Sequence, residues 1–276
     1  MAEDRFAVQT RPEPGEPLIP FINWRGLATL YMKEVRRFFK VQLQTIYAPA
    51  ITTLLFLAIF TIALGRGDRE VMGFPFNAFL APGLIIMGMI QNAFANSSSS
   101  LLIGKVQGTI IDVLMPPIST GELLTSFVAG AVTRGFLVGL AVFAAMWLWP
   151  DLQPVIREPW AVLYFGIAGT ALLGLLGVMT GLWADKFDHS AAVTNFLVQP
   201  LALLSGTFYV IERLPAAFQT VSLFNPFFYI IDGFRYGFLG VSDGPVVQGA
   251  LILLALNAIL AALAYWLLAT GWRIKS

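Results

Sequence analysis

Hydrophobic and polar positions along this chain separate into long blocks instead of alternating residue by residue. No charge lies between Lys40 and Arg66, and 47–64 is almost wholly apolar. None lies between Glu70 and Lys105, where 79–100 is the apolar centre, and 123–149 is interrupted only by Arg134. Further blocks cover 160–184, 191–210 and 246–270. Each is near or above the ~20 residues that cross ~30 Å of hydrocarbon at ~1.5 Å per residue. Backbone groups in lipid must bond within their own segment, so the six blocks predict six transmembrane helices.

A seventh apolar stretch, 214–231, carries Pro215 and the pair Asn225-Pro226. Proline removes a helix donor and clashes with the preceding turn, which leaves two pieces too short to span. The pattern predicts re-entrant half-helices between spans five and six, with a kinked seventh span as the alternative. With six spans, Lys33, Lys40, Lys105, Lys186 and Lys275 fall on one side, together with Arg25, Arg36, Arg37 and Arg273. The other side keeps Arg66, Arg69, Arg157, Arg213 and Arg235, mostly beside acids such as Asp68, Glu70, Glu158, Glu212 and Asp232. The positive-inside rule then places both termini in the cytoplasm, and a seven-span chain would put Lys275 outside.

Composition agrees. The chain is 57% hydrophobic and 12% charged, against about a quarter charged in soluble domains. The net charge of +1, with no basic run interleaved with aromatics, argues against nucleic acid. There is no cysteine and one histidine, His189, which excludes disulfides, thiolate chemistry and multi-histidine metal sites. His189 reads as an interfacial loop residue. Asp185 and Asp188 beside it are the only hint of an interfacial enzyme, and one histidine with two acids is a thin basis. Residues 1–23, rich in Pro and Glu, read as a disordered cytoplasmic tail, and 24–276 as one membrane domain.

Four features carry candidate function. At 24–41, Trp24, Leu27, Tyr31, Val35 and Phe38 recur at helical spacing among Arg25, Lys33, Arg36, Arg37 and Lys40, predicting a basic amphipathic helix at the interface. In the loop 104–122, the stretch 109–115 suits a short helix that Pro116-Pro117 stops, and Ser119 or Thr120 caps the next helix with Glu122 in its first turn. Arg134 either snorkels to the interface, pairs within the bundle or faces a cavity, with Asp112 and Glu122 as possible partners. Asn92, Asn96 and Ser97 to Ser100 read as bonds across helix contacts or as the lining of a hydrophilic route. Gly166, Gly169, Gly174, Gly177 and Gly181 read as close helix packing.

The order of these features resembles the ABC-2 type transporter permease family. Gly108-Thr109-Ile110-Ile111-Asp112-Val113-Leu114 through Pro117 is similar to its coupling segment, and Ser205-Gly206-Thr207-Phe208-Tyr209 with Leu214-Pro215 to its fifth-span exit. Asn225-Pro226-Phe227-Phe228-Tyr229 followed by Gly233-Phe234-Arg235-Tyr236-Gly237 is similar to its re-entrant extracellular segment and is the most specific part. The likeness runs from about Trp24 to the end. It implies an all-α permease subunit, homodimeric, in a bacterial inner membrane, exporting a drug, lipid-like or glycan-type cargo. It implies Gly108, Thr109, Asp112, Leu114, Pro116 and Pro117 as the ATPase contact. Asn225, Pro226, Tyr229, Arg235 and Tyr236 become an outer gate, and Asn92, Asn96 and Arg134 intramembrane polar residues. Nothing matches Gly-x-x-x-x-Gly-Lys-Ser/Thr, since Gly104-Lys105 lacks the spacing. ATP and Mg are therefore expected on a separate subunit, with no catalytic residue, cofactor or metal in this chain. A stand-alone secondary transporter or channel is the alternative; the lack of intramembrane carboxylate pairs and of an internal repeat argues against it.

Overall fold

A central helix, α3 (Phe76–Val106), organises the molecule, and most of its side chains are buried. The structure, a computed structural model, describes residues 22–64, 70–147, 154–211 and 215–273. The tail 1–21, Arg66, Asp68, Arg69, Trp149, Glu212, Arg213, Leu214 and Lys275 lie outside the described residues. The order is α1 (Trp24–Phe39), a π-helical turn Leu43–Tyr47 leading into α2 (Ala48–Leu64), a β-hairpin, α3, α4 (Ile110–Leu114), α5 (Thr120–Met146) and α6 (Pro159–Trp183). Then come α7 (Phe187–Val193), a π turn Thr194–Val198, α8 (Gln199–Leu203), α9 (Ala216–Phe224), α10 (Pro226–Leu239) and α11 (Val246–Ala269). The hairpin pairs β1 (Glu70–Val71) with β2 (Phe74–Pro75) through Met72 and Gly73, both at positive φ, as a two-residue hairpin turn requires.

Among the described residues, five helices are long and apolar enough to cross a membrane: Leu43–Ile62, Phe76–Val106, Thr120–Met146, Pro159–Trp183 and Val246–Ala269. The chain is therefore an all-α, multi-pass membrane protein. The block expected as span five behaves differently. It is helical in pieces of 7, 5 and 5 residues, and the helix ends at Leu203 instead of continuing to 210. Gly206 turns left-handed at φ 75°. Side chains from α10 and its cap then take the freed carbonyls of Leu201, Gly206 and Thr207.

Helix ends follow the local chemistry. Ser119 caps α5 in a reciprocal capping box with Glu122. Asn225 caps α10, Pro226 occupies its first position, and Gly240 closes it in the left-handed region. Lys105 Nζ donates to the carbonyls of Leu182 and Ala184 at 2.7 and 2.8 Å and so satisfies the end of α6.

Helix α6 lies against α3 through its glycines, as the sequence pattern suggested. A Cβ on Gly177 would stand 2.5 Å from the Phe94 carbonyl oxygen. Backbone cannot yield as a side chain can, so Gly177→Ala is expected to destabilise by about 1–3 kcal/mol. Gly88→Ala, whose Cβ meets nothing nearer than 3.8 Å, should be neutral or mildly stabilising. Equilibrium unfolding in mixed micelles compares the two, and equal stabilities would contradict the close approach.

Candidate functional site

At one end of the bundle, the short helix α4 lies on the surface, with Ile110 and Val113 packed inward and Ile111, Leu114 and Met115 exposed. Gly108, at φ 73°, turns the chain out of α3, and Pro116-Pro117 end α4 before Ser119 starts α5. None of the α4 residues is buried, and Ile111 and Met115 are 56% and 78% exposed. An exposed apolar helix with a fixed base is a surface suited to a protein groove.

Its base is fixed through Glu122. One carboxylate oxygen accepts from the Ser119 N–H at 2.7 Å; the other accepts from the Asn23 N–H. Asn23 Oδ1 caps α1 by accepting from the Gly26 N–H at 2.8 Å, and its Nδ2 donates to the Pro117 carbonyl at 3.1 Å. A single acid thus ties the start of α1 to the start of α5 and to the proline stop. Between α1 and α4 lies a cleft of about 530 Å³, lined by Arg25, Lys33, Thr109, Asp112, Pro116 and Ile118 among others. Of the expected contact residues, Thr109, Asp112 and Pro116 line this cleft and Pro117 accepts from Asn23, while Gly108 and Leu114 do not line it.

Helix α1 turns most of its expected face inward: Phe38 is buried and Leu27, Tyr31 and Val35 are half-buried, while Arg25, Lys33, Arg36 and Lys40 are exposed and Trp24, at 66% exposed, is the exception. Leu30 and Glu34, which were not part of that face, are buried beside it, and Glu34 completely. Its Oε1 accepts from Ser100 Oγ at 2.8 Å, and its Oε2 accepts from Arg37 Nε and Nη2 at 3.2 and 3.0 Å. Arg37 donates further to the Asn96 carbonyl and Oδ1 at 2.8 and 2.9 Å and to Ser99 Oγ at 3.2 Å. Sequence reading missed Glu34. The available signal was its place midway between Leu30 and Phe38, one helical turn from each, on the side away from the exposed lysines.

Arg134 does not pair with Asp112 or Glu122. Its Nη2 donates to Asn92 Oδ1 at 3.0 Å, one turn before Asn96 on α3. Glu122 is spent at the far end of α5, and Asp112 lies on α4. The guanidinium is thus bonded to an amide across a helix contact and to neither acid. Asn92 and Asn96 both bond across helix contacts, with their carbonyl oxygens turned toward arginines.

At the opposite end, Asn225 and Arg235 converge on 201–207. Asn225 Nδ2 donates to the Leu201 carbonyl and Ser205 Oγ, both at 2.9 Å. Arg235, 1% exposed, donates to the Gly206 carbonyl at 2.6 Å and lies 4.0 Å above the Phe79 ring. Pro226 starts α10. Tyr229 and Tyr236 sit elsewhere: Tyr229 donates to the Leu223 carbonyl at 2.8 Å, and Tyr236 packs edge-on to Trp160. His189 is helical in α7, not in a loop, beside the Trp183 ring at 5.3 Å. Among the described residues there is no cluster of His, Cys, Asp or Glu that would hold a metal ion.

The ABC-2 type transporter family model matches residues 25–239. The chain is 37% identical over 227 residues to the inner membrane transport permease YadH of Escherichia coli K12, covering 82% of this chain and 88% of that protein. It is 25% identical over 227 residues to nodulation protein J of Rhizobium leguminosarum bv. viciae, covering 79% and 83%. It is 24% identical over 225 residues to nodulation protein J of Rhizobium meliloti, covering 80% and 84%.

Proposed function

Because the chain belongs to the ABC-2 type transporter family, we propose that it is the membrane subunit of an ATP-driven exporter in a bacterial inner membrane. The observation that carries this is the clamped unit of α1, α4 and the start of α5. It is a rigid base carrying a helix with an exposed apolar edge, as a cytoplasmic ATPase contact needs. ATP and Mg belong to that partner. In this reading both termini are cytoplasmic. The interrupted run 187–203 with 204–210 makes the remaining crossing, and α9 and α10 are re-entrant halves on the outer side. Asn225 and Arg235 anchor that outer segment and are gate residues through it.

A second copy is expected against α2, where Ile51, Leu55, Ile59 and Ile62 lie on one face and are each more than half exposed. Phe196, 83% exposed on the run 187–203, adds to the apolar surface available to it. Closure of the ATPases would push α4, and the fixed Asn23–Glu122 joint would pass that push into α1 and α5 together. Cargo of drug, lipid-like or glycan type remains the expected range.

The test is recovery of the tagged full chain from native membranes, with bound P-loop ATPase quantified by mass spectrometry. Ile111→Asp with Leu114→Asp should lower ATPase recovery about 10-fold or more, while leaving thermal stability unchanged because neither side chain is buried. No ATPase with the wild-type chain, or transport by the purified chain alone, would favour the stand-alone transporter.

A further inference from the structure

Three charged side chains meet on one face of α3. Glu34 and Arg37 come from α1 and Arg134 from α5. Their sum is positive. Glu34 is fully used by Ser100 and Arg37, and Lys33 adds a further positive charge 3.9 Å from it. Among the described residues no carboxylate lies within 4 Å of Arg134. The sequence explains why: α2, α3 and α6 contain no acid, α1 contains only Glu34, and α5 contains only Glu122. A guanidinium without a counter-ion inside a membrane bundle marks a functional position, because its insertion is otherwise costly.

The hydrogen-bond inventory points the same way. Arg134 Nε and Asn96 Nδ2 are buried without partners, and both are donors. Asn92 Nδ2 donates to the Gly88 carbonyl at 3.0 Å and Asn96 Oδ1 accepts from Arg37, so neither amide can turn over to supply an acceptor without loss. The two guanidiniums rest on asparagines four residues apart, hence on adjacent turns of one face of α3. Neither arginine is fully enclosed: Arg134 is half-buried, with its Nε buried, and the Arg37 side chain is 25% exposed. Arg134 lies ~21 Å along α5 from Thr120 at ~1.5 Å per residue, in a helix about 10 Å longer than the hydrocarbon slab.

We infer that Arg134 and Arg37, seated on Asn92 and Asn96, form an intramembrane binding site for one anionic group, a phosphate or carboxylate. Guanidinium suits these oxyanions because its fork matches their geometry and it is weakly hydrated. Resting on the permease reading, the site narrows the cargo to an amphiphile with an acidic head whose apolar part stays in the bilayer. Glu34 is not part of the recognition; it fixes Arg37 in place.

The full chain in phosphatidylcholine nanodiscs is titrated calorimetrically with dodecyl phosphate and, separately, with neutral dodecyl maltoside, without any ATPase. The phosphate should bind about 10-fold tighter or more. Arg134→Gln should remove most of that difference, and Arg134→Lys should keep a good part of it. Asn92→Asp is the decisive variant, because it places a carboxylate against Arg134. It should raise the melting temperature and abolish the preference for phosphate, and it stays informative if Arg134→Gln does not fold. Competition by phosphatidylglycerol in the nanodisc would assign the site to a lipid headgroup, and competition by inorganic phosphate to a small anion. Equal affinity for the two amphiphiles, or an Asn92→Asp chain that binds dodecyl phosphate like wild type, overturns the inference. Neither result touches ATPase recovery, so failure here and failure of the permease reading are separable.

Discussion

Glu34→Ala is expected to destabilise the protein by about 3–5 kcal/mol, the usual cost of removing one partner from a buried ion pair. The carboxylate has no exposed surface. It is the acceptor for Ser100 Oγ and for two nitrogens of Arg37. Without it Arg37 loses its counter-ion and α1 loses its anchor. Glu34→Gln should cost less, about 1–2 kcal/mol. Its amide oxygen still accepts from Arg37, and its nitrogen can donate to Ser100 Oγ, reversing the wild-type bond. The double change Glu34→Ala with Arg37→Ala should recover part of the loss, since the orphaned cation goes with its partner. Equilibrium unfolding in mixed micelles reads all three. A loss below about 1 kcal/mol for Glu34→Ala would mean that α1 rests on the surface as a simple amphipathic helix.

That contrast shows where sequence reasoning reached and where it stopped. Block hydrophobicity located the long apolar helices because lipid imposes one rule over ~20 residues. Pro116-Pro117, Ser119 and Glu122 located the exposed loop helix and the next helix start, because caps and prolines act within one turn. Asn225-Pro226 marked the break between α9 and α10 for the same local reason. The buried acid of α1 was missed because an acid beside an apolar stripe looks like a defect until Ser100, 66 positions away, supplies its partner. The early end of the helix at Leu203 was hidden likewise. Pro200 and Gly206 both weaken helix within 191–210, but where the chain leaves it is set by Asn225 and Arg235, more than twenty positions on, which take the carbonyls that the turn exposes.

Arg235→Met is the second large effect expected, again about 3–5 kcal/mol. Methionine keeps the length and the apolar stem against Phe79. It loses every donor to the Gly206 and Thr207 carbonyls. It also removes the positive charge 3.8 Å from Asp243, whose side chain is 2% exposed. Arg235→Lys should fall between wild type and Arg235→Met, because one ammonium can face a carbonyl or Asp243 but cannot fork across both as guanidinium does. The damage should be local as well as global. Freed carbonyls at 206 and 207 destabilise the non-helical turn after α8, so hydrogen exchange should rise first in 204–210. Exchange in the Glu34 network at the other end should stay unchanged in conditions where the bundle remains folded. If Arg235→Met instead loosened both ends equally, the two polar clusters would be one cooperative unit. The outer segment could then not move independently of the ATPase-facing end, and the gate assigned to Asn225 and Arg235 would have to be abandoned.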